Sequence, residues 1–276
     1  MPYVKVGQEN SGDIEIYYED HGSGPPIVLG HGYPLSGQAW EKQVTVLLES
    51  GHRVITYDRR GWGNSSQPAV GYNYDTFAAD LHALIEKVDL QDAVLVGHSM
   101  GTGDVTRYLG RHGSARVSKA VLISPIPPYL VSAGDDPEGI PASVFDGFTA
   151  TAKADRPSWL KGFLDNFYNM DVYGGTLVTD QAFQASFNVA AAGSAIAAVE
   201  CIATWETDFR SDIASLDIPV LVIQGDQDRI LPIQFTGNRL RGLMKDLAFV
   251  SIEGGPHAIS WTHSDQVNAA LAEFLK

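Results

Sequence analysis

A serine attacks carbonyl carbon only when its surroundings lift it above an ordinary hydroxyl, and the stretch Gly97-His98-Ser99-Met100-Gly101 supplies such surroundings. It is the one G-x-S-x-G in the chain. In a sequence carrying 28 glycines the string alone is weak, so its context decides. The apolar run Ala93–Gly97 leads into it, and Thr102–Arg111 can continue as a helix. A serine on a sharp strand-to-helix turn is held exposed and strained, and a glycine two residues away on either side relieves the crowding. The helix start then aims backbone N–H groups at whatever the serine attacks. The blander alternative is a glycine-rich turn whose serine merely caps the helix.

Such a serine needs a base, and the base needs an acid to orient it. Of eight histidines, only His257 and His263 follow the last strand-like run, Leu247–Ile252. His257 ends the loop Gly254-Gly255-Pro256-His257 directly after that run and is the expected base. His263 sits six residues on, beside the final helical stretch Asp265–Leu275, as an ordinary surface histidine would. The acid is expected in Gly225-Asp226-Gln227-Asp228, after the run Ile218–Gln224. Asp226 follows the turn glycine, where aspartate commonly caps a turn, so Asp228 is favoured. The order Ser99, Asp228, His257 differs from those of chymotrypsin and subtilisin.

Acyl transfer also needs two donors for the developing oxyanion. The N–H of Met100, next after the serine, is one candidate. The other is the N–H of Tyr33 in His31-Gly32-Tyr33-Pro34, which follows the run Pro26–Gly30. Pro34 pins the chain beyond it, and His31 is read as bracing this loop. Asp58-Arg59-Arg60-Gly61-Trp62-Gly63 is read as a structural turn whose charges pair locally, with anion binding the lesser alternative.

These loops need a frame to hold them. Ile14–Glu19, Pro26–Gly30, Arg53–Tyr57, Ala93–Gly97, Ala120–Ser124, Ile218–Gln224 and Leu247–Ile252 are short, β-branched and apolar. Several are apolar on successive residues, as in parallel strands covered on both faces. Helical windows such as Tyr74–Val88 alternate with them, which predicts an α/β fold with a mostly parallel, doubly wound sheet. From about 126 to 215 no strand-like run appears, so a helical cap is expected there, inserted in a core formed by 1–125 and 216–276. Pro141 and Pro157 suit helix starts. Trp159, Phe163 and Phe167 recur every four residues, as do Phe183 and Phe187, either as a packed face or lining a pocket beneath the cap.

Composition narrows the function. With 276 residues, 44% hydrophobic and 19% charged, the chain can bury one large core. Its 19 Lys+Arg against 33 Asp+Glu leave a formal charge of −14, which disfavours nucleic-acid and anionic-membrane partners. One cysteine, Cys201, leaves no intrachain disulfide and no cysteine metal cluster. The N-terminal stretch lacks a signal-peptide apolar core, and a cytoplasmic protein is expected. With no H-E-x-x-H, Walker A or complete G-x-G-x-x-G string, neither metal nor other cofactor is expected.

Over nearly its whole length the chain resembles the α/β-hydrolase superfamily, and within it the cofactor-free bacterial haloperoxidases (non-haem chloroperoxidases) with their related esterases and γ-lactamases. The strings that carry the resemblance are YYEDHGSG, HGYPLSG, RVITYDRRGWGNSSQP, GYNYDTFAADL, DLQDAVLVGHSMGTG, and EGGPH followed by WTH. The resemblance implies Ser99, Asp228 and His257 as a catalytic triad and Tyr33 and Met100 as oxyanion donors. It implies an acyl-enzyme formed from a small ester and cleared by water or by hydrogen peroxide, the latter giving a peracid that oxidises halide. Pro34 resembles a proline found in members that use peroxide well. With Trp159, Phe163, Ala258 and Ile259 it is expected to line the substrate pocket. Homo-oligomers, often trimers, are implied as well. The chain departs from the group at His98, where phenylalanine is common, at Gly30, where an aliphatic residue is common, and at Ala258, where glycine is common. A lactonase or γ-lactamase would use the same residues, whereas a ligand-sensing protein of this fold would have little use for the aspartate and histidine.

Overall fold

The computed structural model describes residues 2–132, 139–244 and 247–276. An eight-stranded sheet runs in the order β1-β2-β4-β3-β5-β6-β7-β8. Its strands are β1 Tyr3–Glu9, β2 Gly12–His21, β3 Pro26–Gly30, β4 Arg53–Tyr57, β5 Ala93–His98, β6 Val117–Ile123, β7 Val220–Gly225 and β8 Leu247–Ile252. β2 lies antiparallel to β1 and β4, and the rest are parallel. The α/β expectation therefore holds, with β1 as an additional edge strand.

The central strands are buried on both faces, and their side chains divide by alternation. Ile27, Leu29, Val94, Val96, Val121 and Ile123 face one core with Trp40, Leu47 and Leu271. Val28, Leu95, Ala120 and Leu122 face the other with Phe77, Leu81 and Val105. Three helices cross between the early strands: α1 Glu41–Glu49, α2 Tyr74–Lys87 and α3 Met100–His112. α2 begins where Asn73 Oδ1 accepts from the Thr76 N–H at 2.9 Å. Asp75 in its first turn and Lys87 in its last complement the helix dipole.

Between β6 and β7 lie α4 Ala142–Ala154, α5 Arg156–Tyr168, α6 Met170–Tyr173, α7 Asp180–Ala192, α8 Ala195–Thr204 and α9 Arg210–Ala214. Pro141 is the N-cap residue of α4, and α5 carries a proline in its first turn, where the missing N–H costs nothing. α10 Gly237–Leu243, α11 Ile259–Thr262 and α12 Ser264–Phe274 complete the chain. Among the described residues, no single helix is long and apolar enough to cross a membrane.

The Asp58–Arg60 turn is structural, but its charges do not pair with each other. Arg59 reaches the Asp104 carboxylate on α3 at 2.6 Å, and Arg60 reaches Asp80 on α2 at 2.7 Å. Asp58 accepts from the Gly37 and Asn64 N–H groups, each at 2.7 Å. Because the turn follows a central strand, the nearest partners for buried guanidinium groups are the helices covering the sheet. The Arg59–Asp104 side chains are each 1% exposed, so removing one partner strands a buried charge. Arg59→Met is expected to lower unfolding free energy by about 3–5 kcal/mol in urea titrations.

Candidate active site

Sheet order makes the site. β3 pairs with β4 on one side and β5 on the other, so the chain reverses its winding direction between β3 and β5. A crevice opens at the carboxyl ends of two strands related in this way. There β3 delivers His31–Pro34 and β5 delivers Ser99, with Gly30 opposite Gly97 in register. β7 and β8 end side by side, Gly225 opposite Ile252, and lead into the loops carrying Asp228 and His257.

Ser99 occupies the turn between β5 and α3 with φ 54° and ψ −120°, a conformation that side chains other than glycine rarely adopt. Its N–H donates to the Ile123 carbonyl at 2.9 Å, which fixes the turn to β6. The crowding permits little else at the neighbouring glycines. A Cβ on Gly101 would lie 2.3 Å from the Gly30 carbonyl oxygen, and one on Gly32 would lie 2.7 Å from Ser99 Cβ. The His31–Pro34 loop thus rests directly on the serine turn.

Asp228 and His257 are joined. His257 Nδ1 stands 2.8 Å from Asp228 Oδ2, and both side chains are wholly buried. Asp228 Oδ1 accepts from the Ile230 and Leu231 N–H groups at 2.9 and 2.8 Å. The carboxylate is held from both sides, leaving one oxygen for the imidazole. His257 Nε2 is buried and has no hydrogen-bond partner among the described residues, so Ser99 and His257 are not yet bonded. Catalytic hydrogen bonds often tighten only around a substrate. Asp226 accepts from the Gly254 N–H at 2.8 Å, binding the two loops together rather than capping its own turn. His263 sits before α12, its Nδ1 2.8 Å from Thr262 Oγ1.

Tyr33 and Met100 present their N–H groups without a hydrogen-bond partner among the described residues. The Gly32 carbonyl, in the same peptide unit as the Tyr33 N–H, accepts from Leu35 N–H at 3.0 Å and from His31 Nδ1 at 2.9 Å. His31 Nε2 in turn accepts from the Arg59 N–H at 2.9 Å, which fixes the proton on Nδ1. Burial first, and then the Arg59 charge, hold His31 well below the usual histidine range, so it braces this peptide as a neutral ring. The Tyr33 hydroxyl donates to the Ala198 carbonyl and accepts from Trp159 Nε1, tying the loop to α5 and α8.

A cavity of about 570 Å³ opens over Ser99. Trp159 and Phe163 line it together with Phe145, Phe148, Trp205 and Leu231. Pro34, Ala258 and Ile259, expected in the pocket, do not line this cavity. Pro34 is buried, Ile259 is 0% exposed in the core on the other face, and Ala258 borders a separate cavity. Adjacency to a candidate site residue in sequence does not decide which face of the loop a side chain takes. The residues overlooked, Phe145, Phe148 and Trp205, lie on or beside α4 and α8, and only the spacing of Phe145 and Phe148 after Pro141 could have pointed to them. Phe167 packs edge-on against the His257 ring at 5.2 Å.

His98 Nε2 lies 3.0 Å from the His257 carbonyl oxygen, within donating distance. Burial and the neighbouring His257 push its ring down to about 3. Below about pH 6.5 the unfolded chain protonates His31 and His98 while the folded chain does not, so stability is complete above that pH and lost as pH falls. Asp80, pushed up to about 6 by burial and only partly offset by Arg60, acts in the opposite sense between about pH 4 and 6. His98→Phe isolates its own share. Its Tm should fall less than the wild-type Tm between pH 7.5 and 5, by a difference worth about 1–2 kcal/mol.

The lone thiol takes no part, since burial pushes Cys201 up to about 12. Among the described residues, no group of three or more His, Cys, Asp or Glu is arranged to hold a metal ion.

A strained serine at the switch point, two N–H groups without a partner among the described residues and a buried Asp–His pair define the architecture of a serine hydrolase of the α/β type. The sequence model of the alpha/beta hydrolase fold family matches residues 25–264, and the chain belongs to that family. A Synechocystis sp. protein, provisionally named a non-haem chloroperoxidase, is 58% identical over 276 residues and the whole of both chains. A bifunctional esterase/perhydrolase of Acinetobacter calcoaceticus is 33% identical over 95% of this chain and 96% of that one. The crystal structure of a bromoperoxidase from Bacillus anthracis superposes with TM-score 0.93 and 42% identity, covering 99% of this chain and 98% of that one. The chain is therefore a hydrolase of the haloperoxidase and esterase group.

Proposed function

We propose that this enzyme cleaves small carboxylic esters through an acyl group on Ser99, and that hydrogen peroxide competes with water to remove it. The observation that carries the reading is the buried Asp228–His257 pair beside a strained serine that opens onto an aromatic-lined cavity. Ser99 Oγ attacks the ester carbonyl as its proton passes to His257 Nε2. Asp228 keeps the imidazole oriented and stabilises its charged form. The Tyr33 and Met100 N–H groups receive the oxyanion, and the alcohol leaves with the proton from His257. Water or hydrogen peroxide then attacks the acyl carbon, releasing a carboxylic acid or a peracid and restoring Ser99. The name of the Acinetobacter relative, an esterase and perhydrolase, supports both branches.

Pro34 belongs to this reading as the residue that follows Tyr33 and, with its fixed φ, restrains the chain there. Pro34→Leu should lower the ratio of peracid to acid several-fold when an aryl acetate is turned over in rising peroxide, with the ester KM little changed. An unchanged ratio would remove Pro34 from the account. A cytoplasmic setting and a homo-oligomer, tested by fractionation and light scattering, complete the proposal.

A further inference from the structure

The peptide group that joins His257 to Ala258 is gripped at both ends. Its carbonyl oxygen faces His98 Nε2 at 3.0 Å and accepts from the Ser124 hydroxyl at 3.1 Å. Its N–H donates to the Phe167 carbonyl at 3.0 Å. A carbonyl oxygen only accepts, so His98 must carry a proton on Nε2. Both lone pairs of that oxygen are thereby used. The two side chains that donate to it are buried.

The places of these two donors tie the peptide to the serine turn. His98 ends β5 and directly precedes Ser99. Ser124 directly follows Ile123, whose carbonyl accepts from the Ser99 N–H at 2.9 Å. Ser124 is itself held in the left-handed region, with φ 46°, and its N–H donates to the Ile223 carbonyl on β7 at 2.8 Å. A serine persists in that region only where its surroundings over-determine it. A short chain of contacts therefore runs from Ser99 through Ile123 and Ser124 to His257. Neither His98 nor Ser124 lines the ester cavity.

We infer that His98 and Ser124 are positioning residues for the base, fixing the main chain of His257 to the serine turn so that Nε2 can serve Ser99. The inference rests on the acyl-enzyme reading above. Asp228 and the clamp meet separate needs. The carboxylate orients the imidazole through Nδ1, whereas the clamp sets where the residue carrying that imidazole stands. A misplacement of about 1 Å at a reacting group can cost on the order of 100-fold in rate. The two donors act through His257 and touch neither substrate nor the atoms that react.

When one donor is removed the other still holds the carbonyl, so the two losses should compound. His98→Phe keeps a ring packed against Trp40 and Phe167 and removes the donor. Ser124→Ala keeps a Cβ in the same backbone conformation. Each should lower kcat for an aryl acetate about fivefold, the effect of one neutral hydrogen bond. The double variant should fall about 100-fold, more than the product of the single effects. Ester KM should stay unchanged in all three. His98→Gln, whose side-chain amide can donate to the same carbonyl, should recover kcat to within twofold of wild type. Rates are taken per active site, counted by intact mass after labelling Ser99 with a fluorophosphonate, so misfolded chains do not enter kcat. A double variant no slower than the product of the singles, or His98→Gln as slow as His98→Phe, would overturn the inference while leaving the acyl-enzyme standing. Wild-type enzyme that takes no label on Ser99 would instead defeat the reading beneath it.

Discussion

Ser99→Ala lowers kcat for an aryl acetate by about 10⁵–10⁶ and leaves the fold intact. The size follows from removing the atom that forms the covalent bond, after which water alone must attack a carbonyl held by two N–H donors. Those donors and the cavity remain, so a residual rate above the uncatalysed reaction is expected. Fold retention follows from the local contacts. The turn is held through the Ser99 backbone, which donates to the Ile123 carbonyl and accepts from the Thr102 N–H at 2.9 Å. Alanine keeps both bonds. Steady-state kinetics and a thermal melt on the same preparation check the two halves together, and turnover retained within tenfold would remove Ser99 from the mechanism.

Asp228→Asn lowers kcat by about 10⁴, for a reason specific to how this carboxylate is held. Asp228 Oδ1 faces two backbone donors, Ile230 and Leu231 N–H, while Oδ2 faces His257 Nδ1. An asparagine must keep its carbonyl oxygen toward the two donors, because turning the amide would set N–H against N–H. Its NH₂ group then points at His257 Nδ1 and makes that nitrogen the acceptor. The ring proton moves to Nε2, the atom that must accept from Ser99. The base is lost without disturbing the packing. Ester KM should change little, so the effect appears in kcat. A variant within tenfold of wild type would mean that another group orients His257.

Much of this arrangement was legible because burial and chemistry leave strong local marks. Runs such as those in β3, β5 and β7 are apolar on successive residues because helices cover both faces. β1 carries no such mark, for the converse reason. It is an edge strand in which only Val4 is buried, and Lys5 pairs with Asp13 at the surface, so no continuous apolar run forms. The serine turn and the two late loops were readable because each follows a strand directly. The pocket was only half readable. Trp159 and Phe163 share a helix face, whereas Phe145 and Phe148 on α4 and Trp205 at the end of α8 lie on separate segments whose meeting depends on how the helices pack. The partners of Arg59 and Arg60 were hidden in the same way, since Asp104 and Asp80 lie on other helices.

The proposed mechanism requires that Ser99 carry the acyl group. The direct measurement mixes the enzyme with an aryl acetate, quenches it in acid during the first turnover, and reads intact mass followed by peptide mapping. The predicted result is one acetyl group per chain, located on Ser99, absent from Ser99→Ala, and released as peracetic acid when peroxide is added before the quench. Turnover by an unmodified enzyme, or an acetyl group that persists in Ser99→Ala, would contradict it.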